Sequence, residues 1–544
     1  MVAAVLRTPV LVVGAGVAGS VLALELAYHG VPSIVVERAS RPPRHPDLNL
    51  VTGRSMELLR RLGLTSDMRK DGLDPDSPAD VIWSRGLNQP PVLVSQIPSA
   101  NQLRRRYAKS GDGSSPVEPY LLLAGADLAG RLRSAARAHP LIDLRDGWTF
   151  TDLRLEPAGA VATVLEAGTG VRHLIEATHL AGCDGAQSTV RRCLSVPMEP
   201  LGPPAHHYTV YFRSSELSHR FARPSTIIAD RITLSWRLDR DFWIGQLPLG
   251  PDETTVTDPA TLLHRRLGVG LDAPQILGVV QWDDALGVAQ TYRRGAAFLV
   301  GESAHQFHPP SGTVDTCIGD AVDLGWKLAA TINGWGGPEL LASYERERRQ
   351  RALVDRELLA RTLETRRRFS RLAATGASRE FLAGMLRQEP PQVETTGTGP
   401  SGGFARSTVV WQESGDPPAR GDGATPATRP GARSPAVRLA DGEQIFDRLG
   451  PEFTLVDLSG TGTGTPLVAS ARARGIPMTH LSVPDAAVRA SWQSRLVLVR
   501  PDQHVAWRAA GTHDDWDAVL DVVTGRRAQD QPAQEVPAQD HANT

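Results

Sequence analysis

The sequence lacks several features that would narrow its class. Its 544 residues include only three cysteines, Cys183, Cys193 and Cys317, with neither metal-binding spacing nor a disulfide pattern. We therefore expect no disulfide, no metal site and a cytoplasmic protein. Basic and acidic side chains number 59 and 60, so no net field attracts nucleic acid or an anionic membrane. Glycines interrupt the apolar first 27 residues, and no other run approaches a membrane span. These absences favour a small-molecule partner.

The length of the chain predicts several domains, since about 150 residues per domain suggests two to four. Alternation of strand and helix patterns predicts an α/β fold class, and a strand-rich segment interrupts it. A segment rich in Pro, Gly, Ser and Thr predicts a linker or surface loop. The predicted units are a first domain over 1–190, a sheet domain over 191–292, the return of the first domain with long helices over 293–387, a linker over 388–433, a compact α/β domain over 434–525 and a disordered tail over 526–544.

A charged helical region covers residues 340–387, and its densest part reads "YERERRQR" at 344–351. Such a run of charges is typical of a helix face in contact with water. We therefore expect these side chains to be solvated.

A glycine pattern follows the first apolar strand. Gly14, Gly16 and Gly19 stand between that strand and a helix, and Glu37 ends the next strand. In this context the glycines permit a tight turn, close approach of a pyrophosphate and close packing of helix on strand. The helix N-terminus offers N–H groups to phosphates, and the carboxylate suits a ribose. The pattern predicts dinucleotide binding; a purely structural turn is the alternative.

A second motif is "HLAGCDGAQSTVRR" at 179–192. With the glycine pattern, "GRSMELLRRLG" at 53–63 and "GWKLAATINGWGGPELLASYERERR" at 325–349, the chain resembles the class A flavoprotein monooxygenases related to para-hydroxybenzoate hydroxylase. It is most similar to their natural-product tailoring branch, which includes aromatic-polyketide hydroxylases and indolocarbazole-pathway enzymes. "RPGARSP" at 429–435 resembles the start of that branch's C-terminal domain.

The resemblance implies a discontinuous Rossmann-like FAD-binding domain, a β-sheet substrate domain and a C-terminal thioredoxin-like domain. The last domain has no Cys-x-x-Cys motif, so packing or homodimer contacts are its expected role. FAD is the implied cofactor and NAD(P)H the transient reductant. The implied cofactor-binding residues are Gly14, Gly16, Gly19, Glu37, Arg38, Arg54, Asp184, Glu302, Pro309 and Gly312. Two of these have structural alternatives, since Arg54 also suits a cation at a helix start and Asp184 a turn or cap.

The sequence departs from the family pattern near the flavin ring. Glu302 replaces the family aspartate that binds the ribityl chain, and Thr313 with Val314 occupies the place of a second glycine. Asp315 stands near a family asparagine, where it is expected to cap the helix and to repel the reduced flavin. Two charges about 5 Å apart interact by roughly 3 kcal/mol at an effective dielectric near 20. Gly125 falls where relatives have a glutamine.

Three functional hypotheses follow. The first is a monooxygenase that acts on a large polycyclic or polyketide-type natural product. The second, favoured by the altered loop at 311–317, is a non-redox cyclase in which FAD is structural or lost. The third is a binding protein without turnover. Trp236, Trp243, Trp282 and His308 are candidates for the substrate pocket, with core packing or a loop position as the alternative. No catalytic residue is assigned.

Overall fold

This computed structural model describes residues 5–41, 48–221, 225–236, 241–250, 253, 258–268, 274–307, 313–389, 396–397, 403–404, 406–413, 428–509 and 515–527. Three residues of the predicted site, His308, Pro309 and Gly312, lie outside these ranges. Most of the predicted linker over 388–433 and all but two residues of the predicted tail also lie outside them.

The described chain alternates strands and helices, which confirms the predicted α/β fold class. The strands are β1 (Leu6–Val13), β2 (Ser33–Glu37), β3 (Leu48–Val51), β4 (Asp80–Trp83), β5 (Leu93–Ser95), β6 (Leu121–Ala124), β7 (Ile142–Asp146), β8 (Trp148–Glu156), β9 (Gly159–Glu166), β10 (Arg172–Gly182), β11 (Met198–Pro200), β12 (His206–Arg213), β13 (Ser225–Ala229), β14 (Ile232–Trp236), β15 (Phe242–Pro248), β16 (Gln275–Asp283), β17 (Gly287–Ala289), β18 (Arg293–Arg294), β19 (Ala297–Leu299), β20 (His305–Gln306), β21 (Phe453–Asp457), β22 (Met478–Ser482), β23 (Leu496–Val499) and β24 (Val505–Arg508). The α-helices are α1 (Val17–Tyr28), α2 (Gly53–Arg61), α3 (Thr65–Asp71), α4 (Ala100–Tyr107), α5 (Gly125–Ala138), α6 (Thr189–Cys193), α7 (Ser215–Arg220), α8 (Pro259–Leu267), α9 (Thr313–Ile332), α10 (Pro338–Ala374), α11 (Arg379–Gln388), α12 (Thr465–Ala473), α13 (Ala486–Trp492) and α14 (Trp516–Val523).

The first domain is built on a parallel sheet with the strand order β19-β10-β1-β2-β7. The apolar residues of β1 are buried because helices cover the sheet, as continuous apolar runs in parallel strands require. Helix α1 is itself buried from Ala18 to Ala27 and packs against α9. Strand β19 enters this sheet from the second half of the chain, so the domain is discontinuous as predicted from the sequence.

The second domain is a seven-stranded sheet with the order β16-β12-β15-β14-β13-β4-β5. Strands β4 and β5 come from residues 80–95, which the sequence-based division gave to the first domain. One face of this sheet packs on α8, with Phe212, Leu234 and Trp243 in the contact. The other face carries Tyr211 and Ile244, which pack with Leu48 of β3 in the first domain. This second face of the sheet therefore lies against the first domain.

The C-terminal domain has a four-stranded sheet of order β22-β21-β23-β24. β21 pairs in parallel with β22 and antiparallel with β23, in a small α/β unit with α12, α13 and α14. The unit shares an apolar core with the first domain, in which Trp326 and Trp335 meet Phe453.

Helix α10 differs from the solvated helix expected at residues 344–351. Tyr344, Glu347 and Arg348 are buried there. The Tyr344 hydroxyl donates to the carbonyl oxygen of Leu299 at 2.7 Å, and Arg348 Nε donates to Asp320 Oδ1 at 2.7 Å. These charges are buried because they pair with opposite charges on neighbouring elements, which a charge count along the sequence does not reveal.

All three cysteines are free thiols. Within the described ranges, no helix combines the length and the apolar character that a membrane crossing requires.

Candidate functional site

The glycine turn between β1 and α1 has the geometry of a phosphate cradle. Gly14 has φ +103°, and a Cβ built on it lies 2.5 Å from the carbonyl oxygen of Cys183, so only glycine fits. A Cβ on Gly19 lies 1.9 Å from the Gly14 carbonyl oxygen, so helix and turn pack in contact. A Cβ on Gly16, in contrast, has no protein atom within 4 Å. The open side of the turn is therefore at Gly16, where the N-terminus of α1 begins.

The electrostatics of this turn suit an anion. Helix α1 has neither a side-chain cap nor an acidic residue in its first turn. Its first N–H groups and the positive end of its dipole therefore remain available to a pyrophosphate. The residues present fit the dinucleotide that the sequence predicts.

Glu37 lies at the end of β2 beside this turn. Its two carboxylate oxygens accept hydrogen bonds from the backbone N–H groups of Ala15 and Ala39, each at 2.8 Å. A carboxylate has about four acceptor positions, so it can also accept from a ribose hydroxyl. Arg38 follows it and is exposed.

Glu302 lies after β19, in a short 3-10 turn over Gly301–Ser303. Its side chain is exposed, yet dense surrounding protein raises the pKa of its carboxyl, partly opposed by the charge of His305. An exposed side chain within dense protein lies in a cleft. Glu302 therefore stands where a bound molecule can reach it, on the same edge of the sheet as the glycine turn.

Asp315 is not the helix cap expected from the sequence. It lies in the first turn of α9, and its Oδ1 accepts hydrogen bonds from the backbone N–H of Thr52 at 3.0 Å and from its hydroxyl at 2.8 Å. Thr52 precedes α2 and supplies both donors from outside α9. The carboxylate therefore joins the start of α9 to the start of α2.

Arg54, in the first turn of α2, is directed towards the C-terminal domain. Its guanidinium donates to the Asp502 carbonyl oxygen at 2.6 Å, to Gln503 Oε1 at 2.5 Å and to Glu57 Oε2 at 3.1 Å. Burial lowers the pKa of Arg54 to about 10, although Glu57 opposes that shift. The contact of Arg54 with the adenosine diphosphate stays a prediction.

Asp184 makes the contacts of a cap. Its carboxylate accepts from Ser188 Oγ at 2.5 Å and from the backbone N–H groups of Thr189 and Val190 at 2.7 and 3.0 Å. Its Cα lies 3.2 Å from a Cβ built on Gly14, so it also borders the glycine turn. Gly125 is the first residue of α5, directly after β6.

The tryptophans predicted for the substrate pocket lie on different faces of the seven-stranded sheet. Trp243 is fully buried on the α8 face, where Trp236 stacks on it with ring centroids 6.2 Å apart. That arrangement matches the core alternative. Trp282 pairs with His207 across β16 and β12, two residues from Val280, which packs with the cluster around Leu48. Of the three tryptophans, Trp282 is the one on the face that meets the first domain.

His207 and Asp284 form a pair of titratable side chains where β12 begins and β16 ends. His207 Nε2 lies 3.1 Å from Asp284 Oδ2, and its ring stacks on Trp282 at a centroid distance of 4.3 Å. Burial alone would raise the pKa of Asp284, but hydrogen bonds from His207 and from the Ala205 backbone outweigh it and lower the pKa to about 2. Arg367 of α10 donates to the same carboxylate at 2.9 Å.

Two segments of the chain match known protein families. Residues 7–356 match the model described as "FAD binding domain", and residues 427–527 match "Aromatic-ring hydroxylase, C-terminal". The chain belongs to the FAD-dependent aromatic-ring hydroxylases. The recognised resemblance to flavoprotein monooxygenases, with FAD as cofactor, is thereby confirmed.

Two relatives and one solved structure illustrate the range of this hydroxylase family. "FAD-dependent monooxygenase opdD" of Penicillium oxalicum is 30% identical over 87% of this chain and 98% of its own length. "Dialkyldecalin synthase" of Streptomyces rugosporus is 28% identical over 95% of this chain and 99% of its own. The solved structure is that of "the rebeccamycin biosynthetic enzyme RebC with reduced flavin", whose sequence is 27% identical to this one. The two structures superpose with a TM-score of 0.84, and the match covers 96% of this chain and all of that chain.

Sequence reasoning missed two parts of the candidate site. Thr52, before "GRSMELL", has the residue type and position of a helix cap, so a signal for it existed. His207 and Asp284 are 77 residues apart, and no local pattern joins them.

Proposed function

We propose that this hydroxylase is an FAD- and NAD(P)H-dependent monooxygenase that tailors a large polycyclic or polyketide-type natural-product intermediate. The observation that carries this proposal is the glycine turn, which is closed by protein at Gly14 and Gly19 and open at Gly16. Relatives that are named as monooxygenases, and a structural neighbour from rebeccamycin biosynthesis, support the reaction and the substrate class.

In this proposal the chain's residues divide the work of holding FAD. Gly14, Gly16 and the start of α1 hold the pyrophosphate, and Glu37 holds the adenosine ribose. Glu302 accepts hydrogen bonds from the ribityl chain, one methylene further from its backbone than the family aspartate. When FAD is bound and reduced by NAD(P)H, it supplies the activation of O2 for oxygen insertion into the substrate.

Further predicted contacts complete the cofactor site. Arg38 is exposed beside Glu37 and adds positive charge near the adenosine end. Pro309 and Gly312 lie outside the described residues, and their contacts with FAD stay predictions from the sequence. Asp184 borders both the glycine turn and the start of α6.

The face of the seven-stranded sheet that meets the first domain binds the substrate in this proposal. Tyr211, Ile244 and Val280 form its apolar part together with Leu48. Apolar walls exclude water, which protects reactive species from hydrolysis. The cytoplasm supplies NAD(P)H and preserves free thiols such as the three found here, so it is the compartment that fits. A homodimer remains part of the proposal.

A second candidate function is a non-redox cyclisation on the same scaffold. Two observations favour it: a relative is named dialkyldecalin synthase, and the start of α9 carries Asp315 instead of a neutral residue. In this case the sheet face positions two parts of one substrate, and FAD serves as structure.

The deciding experiment separates reduction of the flavin from formation of product. The purified holoenzyme is mixed anaerobically with NADPH, with and without candidate substrate, and flavin bleaching is followed before oxygen is admitted. A monooxygenase bleaches, then consumes oxygen and incorporates one atom of 18O2 into the product. Complete conversion of substrate with oxidised flavin, in the absence of both NADPH and oxygen, would reject the monooxygenase and establish the cyclase.

A further inference from the structure

Helix α10 packs against the end of the seven-stranded sheet at which β4, β13 and β16 finish. The Phe369 ring packs edge-on against Trp83 of β4, with centroids 4.9 Å apart. The Ser370 hydroxyl donates to the carbonyl oxygen of Asp230, between β13 and β14, and Arg367 donates to Asp284, which follows β16, at 2.9 Å. The helix turn over residues 366–370 is therefore fixed to this end of the sheet.

Arg366 lies on the inward side of this turn. It is three residues from both Leu363 and Phe369, which are buried, and residues at that spacing share one side of a helix. Its side chain is partly exposed while its Nε is shielded from water, and the surrounding protein lowers the pKa of Arg366 to about 10 by desolvation, without a contribution from any neighbouring charge. An arginine with that pKa remains protonated at neutral pH.

No carboxylate compensates this charge among the residues that the structure describes. Arg366 has no ion pair or hydrogen bond there, and its Nε is shielded from water without an acceptor. The neighbouring carboxylate of Asp284 is already held by His207, by Arg367 and by the backbone N–H of Ala205 at 2.6 Å. Arg366 is therefore a partly desolvated charge without a counter-charge, and a residue of this kind is a candidate for contact with a ligand.

The substrate face of the seven-stranded sheet also carries polar side chains. Thr233, Gln246 and Thr209 lie side by side on β14, β15 and β12, so they share one face. Thr209 accepts a hydrogen bond from Trp282 Nε1 at 2.8 Å. Between Trp83 and Asp284 the substrate face is therefore a polar strip next to the apolar cluster around Leu48.

We propose that Arg366 binds an anionic oxygen of the substrate, either a carboxylate or an ionised phenol, and thereby fixes its orientation against the apolar part of the pocket. This inference rests on the proposed function, since it assumes that the sheet face binds substrate. It adds that the substrate is a polycyclic acid whose charged end lies towards α10. A guanidinium suits this role because it donates two parallel hydrogen bonds to a carboxylate.

The test measures preference for charge in the oxidised holoenzyme, without NADPH and without turnover. Two matched probe pairs are titrated by fluorescence and by thermal shift: 2-naphthoate with 2-naphthamide, and 2,4-dinitro-1-naphthol with its methyl ether. We expect the wild type to bind at least one anion about tenfold or more tightly than its neutral partner. The pair that shows the preference identifies the carboxylate or the phenolate as the source.

Three variants make the test specific. Arg366→Met and Arg366→Gln are expected to lose the preference for the anion, whereas Arg361→Met, at an exposed position of the same helix, retains it. Without ligand, both Arg366 variants are expected to melt at or above the wild-type temperature, because a partly desolvated charge without a counter-charge has been removed. A structural role would produce the opposite shift.

The inference is overturned if the wild type shows no preference in either pair, if the preference survives in both Arg366 variants, or if both variants melt well below the wild type. These outcomes are independent of redox activity. An enzyme that prefers anions through Arg366 but never incorporates oxygen would refute only the proposed function, and an active enzyme without the preference would refute only this inference.

Discussion

Replacing Arg500 by methionine should detach the C-terminal domain from the first domain. Arg500 is buried between them and donates to both oxygens of Glu347 at 2.8 Å, to Asp323 at 3.0 Å and to Asp502 at 2.7 Å. Lys327 completes the cluster, at 2.8 Å from Asp323 and 2.7 Å from Glu347. Three carboxylates and two cations therefore share one dry site.

Loss of a cation from this cluster sets the size of the effect. Burial raises the pKa of Asp323, against the attraction of Lys327. Burial also acts to raise the pKa of Glu347, but Arg500 and Lys327 outweigh it and lower that pKa. Without Arg500 the three carboxylates keep Lys327 but lose the cation that contacts all of them, and breaking a buried pair in this way costs about 3–5 kcal/mol.

The expected result is a large fall in the melting transition that includes the C-terminal domain. For a unit of about 100 residues, 1 kcal/mol corresponds to about 4–8 °C, so the transition should fall by about 12 °C or more. Calorimetry measures the shift, and hydrogen exchange locates it in β21, β23 and β24. Arg346→Met is the control, since the Arg346–Glu339 pair is largely exposed and contributes about 0–1 kcal/mol. A shift in Arg500→Met no larger than that of the control would refute the charge argument, whereas Arg500→Met with Asp502→Asn should recover part of the loss.

Three other predictions follow from the contacts described above. Gly16→Ala should leave the fold intact, because no protein atom lies within 4 Å of the new Cβ, yet weaken FAD retention, as measured by flavin content after gel filtration; unchanged retention would contradict the cradle. Burial acts to lower the pKa of His29, but the hydrogen bonds that its ring donates to Glu25 and Glu452 outweigh it and raise the pKa to about 9. The resulting stability, about 3 kcal/mol, is present below about pH 6.5 and lost as pH rises through about 9, and His29→Gln should flatten this slope in denaturant titrations. Asp315→Asn should raise the flavin reduction potential by tens of millivolts in an anaerobic dye-linked titration, whereas an unchanged potential would show that this carboxylate does not act on the ring.

The sequence signals for the cofactor half of the site are local. Gly14, Gly16 and Gly19 lie within six residues; protein atoms exclude a side chain at Gly14 and Gly19, whereas Gly16 leaves the open side of the turn free. Glu37 ends the next strand of the same βαβ unit, so its position follows from the crossover itself. Short sequence distance and backbone geometry together made these residues visible.

The substrate half could not be predicted because its contacts are long-range. Trp243 and Trp282 look alike in the sequence, but pairing register places them on opposite faces of the sheet, and register depends on partners dozens of residues away. The same holds for Arg366: its spacing from Leu363 and Phe369 places it on the apolar side of α10, but the absence of a carboxylate beside it among the described residues depends on distant parts of the chain.

Helix α10 touches all three parts of the chain, through Tyr344 to the nucleotide-binding sheet, through Glu347 to Arg500, and through Arg367 to Asp284. The C-terminal domain is consequently a poor unit for modular exchange between relatives. A chimera that imports a new domain without an arginine matched to Glu347 deprives this buried acid of one of the two cations that pair with it, in the helix that also carries Arg367. Transplants designed for altered specificity should therefore move the donor's version of this helix together with its terminal domain.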